Sequence, residues 1–238
     1  MYYFGIDWTY LVLVLPCVIF SMIASSMVNG TFQKYSQVFS LRRMTAADAA
    51  RRVLTQNGVC GVKIERISGN LTDHYDPKTN TIRLSDPVYN STSVASIGVA
   101  CHEAGHAVQY AKRYAPIHIR AAIVPITNIG TRLALPLILI GLLVTSLGSY
   151  SQTIVNLGIA CFGLSFVFQM ITLPVEFNAS RRAISAIADS GILTDEEIKG
   201  ARKTLTAAAM TYVAAAALAL AQLLRLILIF GRRDRNNR

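Results

Sequence analysis

Uncharged stretches alternate with charged ones along the 238 residues. Asp7 and Lys34 bracket 26 uncharged positions, 8–33. About 20 apolar residues cross a bilayer, so the pattern predicts a transmembrane helix over 8–30. A cleaved signal peptide is the competing reading of that stretch. It would want a basic leading region, and residues 1–9 contain no Lys or Arg. Arg132 and Glu176 bracket a second uncharged run of 43 residues, 133–175. That is about two spans. Gly, Ser and Gln around 147–152 read as a tight turn between helices over 128–147 and 153–174, the second ending near Pro174. A fourth stretch, 205–230, carries Arg225 as its only charge and predicts another span.

The remaining segments, 31–120 and 175–204, are the polar part. Thr45 and Asp48 stand at the spacing of a capping box, with Asp in place of the usual Glu, and a helix runs from there to the stop signal Asn57-Gly58. Alternation predicts a strand over 62–68 and another at 81–85, and 76–80 (Asp-Pro-Lys-Thr-Asn) reads as a turn. The strand at 81–85 is a candidate to pair with an extended substrate by strand addition. A helix is predicted from Ser93 to Ala111. The expected fold is mainly α: a multi-pass membrane protein with a small α+β part, built from that helix and a short β-hairpin.

Composition agrees with this division. Hydrophobic residues make up 53% of the chain and charged residues 15%, against about 25% charged in a typical soluble domain. So apolar a chain is not disordered. The net charge of +10 belongs to no nucleic-acid-binding motif, and no nucleic-acid partner is expected. It works instead as an orientation signal. Of 23 Lys+Arg, 17 lie in 31–120 and 175–204, which four spans place on one side. That predicts a cell-membrane protein with a cytoplasmic active site. Arg232, Arg233, Arg235 and Arg238 in the tail point the other way. The four cysteines, two in spans and two in the polar part, fit a reduced compartment better than a disulfide framework.

Chemistry concentrates at 102–106, His-Glu-Ala-Gly-His. On a helix, His102 and His106 lie one turn apart on one face and can reach one Zn²⁺, with Glu103 beside them as general base. A catalytic zinc takes three protein ligands and leaves one position open. Glu176 is the candidate third ligand. It closes the 43-residue uncharged run, and the two intervening spans return it to the side of His106.

Six stretches resemble the YugP-type neutral zinc metallopeptidases, which are bacterial multi-pass membrane proteins. They are residues 71–77, 83–90, 102–109 (HEAGHAVQ), 173–183 (LPVEFNASRRA), 191–201 and 211–216. The resemblance implies zinc binding and a peptidase activity. The layout is also similar to that of the HtpX-type and CAAX-prenyl endopeptidases, in which the later Glu stands in an ExxAD-like motif. Here 176–180 reads Glu-Phe-Asn-Ala-Ser, so Ser180 replaces the acid. Asn178, Asp73 and Asp76 are alternatives for orienting a ligand histidine.

The expected activity is hydrolysis of peptide bonds, in a peptide or membrane-protein substrate, by water activated at zinc. Glu103 is the base, and His74 is the candidate oxyanion donor, with Tyr75 as an alternative. A site-2-type intramembrane protease fits poorly, because only 15 uncharged residues (87–101) precede His102. The rival of another class is a non-catalytic membrane scaffold with a structural zinc, which has no use for Glu103.

Overall fold

The computed structural model describes residues 7–144 and 149–230. The tight turn expected at 147–152 and the arginine-rich tail fall wholly or partly outside them. A π-helical segment, Tyr10–Val14, leads into α1 (Leu15–Ser36). Then follow α2 (Ala46–Gln56), β1 (Lys63–Ile67), β2 (His74–Asp76), β3 (Thr81–Ser85) and α3 (Asp86–Tyr89). The motif helix α4 (Val94–Ala111) precedes the long helices α5 (Ala115–Leu143), α6 (Ser149–Asp189) and α7 (Asp195–Phe230). The protein is therefore mainly α with a small β part. Among the described residues, four helical segments are long and apolar enough to cross a membrane: Tyr10–Ser36, Ala115–Leu143, Tyr150–Asp189 and Asp195–Phe230.

The chain forms two compact units. One comprises residues up to Ile23, Ile119–Leu173 and the chain from Thr211 onward. In it α5 and α6 come close through small residues. A Cβ on Gly141 would sit 2.9 Å from the Ser151 carbonyl oxygen, and one on Gly158 2.9 Å from that of Ala134. Helices in lipid gain association from such close backbone approach, because lipid tails already solvate apolar side chains. Ile138, Val155, Ile159 and Phe230 close the small core of this unit. Arg225, the lone charge of the fourth apolar stretch, lies 3.4 Å from Asp7 and stacks its guanidinium over the Tyr10 ring. A charge in an apolar helix is costly unless paired, and this pairing offsets that cost.

The other unit, Ala24–His118 with Pro174–Met210, holds the sheet and the motif helix. Thr45 caps α2, accepting from the Asp48 amide at 3.2 Å, and its hydroxyl donates to the Asp48 carboxylate. Gly58, at φ +69°, ends the segment in the left-handed conformation that glycine adopts freely. Ser93 caps α4 by accepting from the Ser96 amide. The apolar faces of α2 (Val53, Leu54) and α4 (Ile97, Val108) meet β3 (Ile82, Leu84) in one buried core.

Three expectations are corrected. First, β2 occupies His74–Asp76, so the turn begins one residue later than the pattern suggested. Three residues are too few for alternation to show. Second, the sheet order is β1-β3-β2, with β1 parallel to β3 and β2 antiparallel to it. The hairpin is β2–β3, and β3 has neighbours on both edges, so strand 81–85 offers no edge for strand addition. Third, α6 runs through Pro174 to Asp189. Proline forfeits one backbone bond. Burial of Val175, Glu176, Ala179 and Ala183 carries the helix past it, packing overriding local propensity.

Candidate metal centre

Two helices build the centre. On α4, the i, i+4 spacing sets His102 and His106 on one face, their rings in an edge-to-face contact with centroids 4.7 Å apart. On α6, just past Pro174, Glu176 is almost wholly buried. Its Oε2 lies 3.2 Å from His102 Nε2 and 3.5 Å from His106 Nε2. The three candidate ligand atoms all lie within 4.8 Å of one another. Tetrahedral zinc with bonds of about 2.0–2.1 Å separates its ligand atoms by roughly 3.3–3.4 Å, and both His–Glu distances fall near that value.

Gly105, between the histidines, makes this approach possible. A Cβ there would stand 2.7 Å from the Ala179 carbonyl oxygen and 3.3 Å from the Ala179 Cα. Only a bare α-carbon lets α6 come this near to α4, and Glu176 lies less than one turn from Ala179.

The far sides of both imidazoles are also engaged. The Gln109 amide nitrogen donates to the Val175 carbonyl at 2.8 Å and to Asn178 Oδ1 at 3.0 Å. That fixes the amide with its oxygen toward His106 Nδ1, 3.0 Å away. An amide oxygen only accepts, so Nδ1 carries the proton and Nε2 is left with a lone pair. This lone pair faces a carboxylate oxygen, which also only accepts. Two acceptors at 3.5 Å call for a cation between them, either a proton or a metal. His102 Nδ1 lies 3.1 Å from Ser180 Oγ, so the serine in the place of the ExxAD-like acid still meets a ligand histidine. Burial lowers the His106 pKa, but the hydrogen bond to Glu176 and the negative charges of Glu103 and Glu176 outweigh it and raise it above the ordinary imidazole value. The donor set therefore suits a divalent cation such as zinc, which would take the place of a proton between them: two imidazoles, one carboxylate and positioned second nitrogens.

Glu103 is buried and makes no hydrogen bond among the described residues. Its carboxylate oxygens are not among the buried polar atoms that lack a partner, so they keep access to water. Cys101, next to His102, points into the core, where burial pushes its thiol far above the ordinary range. It is neither ligand nor nucleophile.

The other sequence candidates have contacts of their own. His74 is exposed on β2, with Nδ1 2.8 Å from the Thr72 carbonyl oxygen. Tyr75 donates its hydroxyl to Asn80 and tilts its ring against Tyr110 of α4. Asp73 accepts from the amide and hydroxyl of Ser85, and Asp76 pairs with Arg83, so neither orients a ligand histidine. Asn178 does so indirectly, through Gln109, and is itself held by Arg182 Nε at 2.8 Å. Gln109 is the residue sequence reasoning passed over. The available signal was its place three positions after His106, on the same helical face.

Residues 10–231 match the family model described as "Putative neutral zinc metallopeptidase". The chain is 45% identical over 210 residues to the "Putative membrane protease YugP" of Bacillus subtilis (strain 168), a match covering 88% of this chain and 91% of that protein. No solved structure matches it.

Proposed function

Because the chain belongs to the neutral zinc metallopeptidase family, we propose that it is a zinc-dependent metalloendopeptidase of the cell membrane. It crosses the bilayer with its four apolar helices, its catalytic residues face the cytoplasm, and it cleaves peptide or membrane-protein substrates. The observation that carries this reading is the convergence of His102, His106 and Glu176 on one point, with Glu103 buried beside them.

Zinc held by those three residues would supply Lewis-acid polarisation of the scissile carbonyl and a lowered pKa for the attacking water. Glu103 takes the proton from the attacking water as the new C–O bond forms, and gives it to the amine nitrogen when the peptide C–N bond then breaks. Gln109 accepts from His106 Nδ1–H and Ser180 Oγ meets His102 Nδ1, and these contacts hold the imidazoles in place. His74 is the proposed oxyanion donor. With Nδ1–H given to the Thr72 carbonyl, its Nε2 donates only when the ring is protonated. An extended substrate adding as a strand would use the β1 or β2 edge, since β3 is internal.

The test compares wild type, Glu103→Gln and Glu176→Ala in purified full-length protein. Glu103→Gln is expected to keep zinc and lose about 10²–10⁴-fold in peptide turnover. Glu176→Ala is expected to lose the metal. Full activity in Glu103→Gln would remove the base from its role. Zinc retained at wild-type affinity in Glu176→Ala would remove the third ligand. Bound zinc with no turnover of any substrate would instead mark a structural site.

A further inference from the structure

Away from the metal centre, a groove of about 470 Å³ runs between α1 and α7. Its walls carry Met27, Gly30 and Ala207, and its rim carries Lys34, Arg202 and Lys203. No carboxylate lines it, and among the described residues no salt bridge reaches those three cations. The cations sit at matching places in the sequence. Lys34 closes the 26-residue uncharged run, and Arg202-Lys203 stand just before the apolar stretch that starts at Leu205.

Two glycines shape the groove. Gly200 lets the Tyr35 ring press on α7, since a Cβ there would stand 2.7 Å from the ring. Gly30, in the middle of α1, packs against nothing: a Cβ there would meet no atom within 4 Å. Glycine within a helix costs roughly 1 kcal/mol relative to alanine, and here no neighbouring backbone requires it. Its effect is to keep the groove wide.

We propose that this groove binds an anionic phospholipid, with the phosphate among Lys34, Arg202 and Lys203 and an acyl chain along Met27, Gly30 and Ala207. The match lies in the chemistry: three uncompensated cations at the headgroup end, an apolar trough at the other, and helices apolar enough to span a bilayer. Basic pockets between such helices suit anionic headgroups. Surface cations alone would attract the membrane as a whole. The trough beside them selects a molecule that carries both phosphate and hydrocarbon. This proposal rests on the membrane reading but not on proteolysis, so a failure of the peptidase assignment leaves it standing.

The test uses full-length protein in dodecyl maltoside, titrated with dioleoyl phosphatidylglycerol, dioleoyl phosphatidylcholine or glycerol 3-phosphate. Bound molecules are counted by native mass spectrometry. Phosphatidylglycerol is expected to bind at least about tenfold more tightly than phosphatidylcholine. The triple variant Lys34→Gln, Arg202→Gln, Lys203→Gln should weaken it by roughly a hundredfold. Gly30→Leu, which fills the trough and leaves every charge in place, should weaken it at least tenfold with zinc content unchanged. Wild-type retention in the triple variant or in Gly30→Leu overturns the proposal. So does glycerol 3-phosphate displacing the lipid at equal concentration, which would mark a plain phosphate site. If the triple variant fails to fold, Gly30→Leu decides alone, because a Cβ at that position meets no atom within 4 Å.

Discussion

At the scale of single residues, the centre is decided by which nitrogen carries a proton. Gln109 settles that for His106, because both amide hydrogens are committed to Val175 and Asn178 and only its oxygen is left for the ring. Replacing it with leucine keeps the volume and removes the acceptor, so the ring loses its fixed tautomer. Gln109→Leu is expected to lower zinc affinity about 10–100-fold, measured by competition with a chromophoric chelator. The conservative change Gln109→Glu still accepts from Nδ1–H, so it should restore part of the loss. Equal affinity in wild type and Gln109→Leu would show that the ring is oriented by other contacts. The cluster of His102, His106 and Glu176 was readable from the chain, since HExxH states its geometry in its spacing and Glu176 stands out as the acid ending a long apolar run. Gln109 and Ser180 were not readable as His partners, because a polar residue beside a motif has many possible uses. Only the packing of α6 on α4 selects one.

At the scale of elements, that packing depends on one absent side chain. Gly105→Ala puts a methyl group against the backbone of Ala179, which cannot rotate away as a side-chain tip could. Overpacking of this kind costs about 1–3 kcal/mol. The helices must part by a fraction of an ångström at the point from which Glu176 reaches the histidines. Thermal unfolding in detergent is expected to show a lowered Tm. Zinc affinity should fall in the same variant although no ligand has changed. A drop in Tm with unaltered zinc binding would separate the contact from the site.

The β2–β3 hairpin makes a second prediction at this scale. Asp76 accepts from Arg83, Thr79 and the Lys78 amide, which hold its carboxyl well below the ordinary carboxylate range. A folded-state pKa below the unfolded one stabilises the hairpin above the unfolded value of about 3.9. That contribution is lost as pH falls below it. Protection of the amides in 74–85, relative to the unfolded chain at the same pH, is therefore expected to fall below about pH 4. Asp76→Asn should show lower protection at neutral pH and little further loss on acidification. The same hairpin marks a limit of pattern reading. The strand at 81–85 was visible as an alternating run, but its central place in the sheet was not. That place depends on β1 lying parallel to it across a gap of 13 residues, a long-range pairing that local alternation does not encode. The continuation of α6 through Pro174 was hidden for a related reason, since the burial that compensates the proline comes from another helix.

At the scale of the whole molecule, the basic residues predict which side of the membrane holds the candidate metal centre. The charge count favours the cytoplasm, with 17 of 23 basic residues in 31–120 and 175–204 and four in the terminal tail. The rule concerns Lys and Arg near span ends. Lys34, Lys112, Arg113, Arg181, Arg202 and Lys203 all stand there, whereas the tail flanks one span only. The cysteines supply a probe. Cys60 is an exposed free thiol in the unit that contains the metal centre, and Cys101 in that unit is buried. A variant with Cys17, Cys101 and Cys161 replaced by alanine keeps Cys60 as the single label site. With a membrane-impermeant maleimide, Cys60 is expected to stay unlabelled in intact cells and to react once they are permeabilised. Labelling in intact cells would place Cys60 outside and reverse the assignment. The same protocol with a cysteine appended after Arg238 tests the tail. Four crossings put that cysteine outside, where it labels in intact cells. A tail protected together with Cys60 would mean that the fourth apolar helix does not cross, and the arginines at the C-terminus would then obey the same charge rule as the rest.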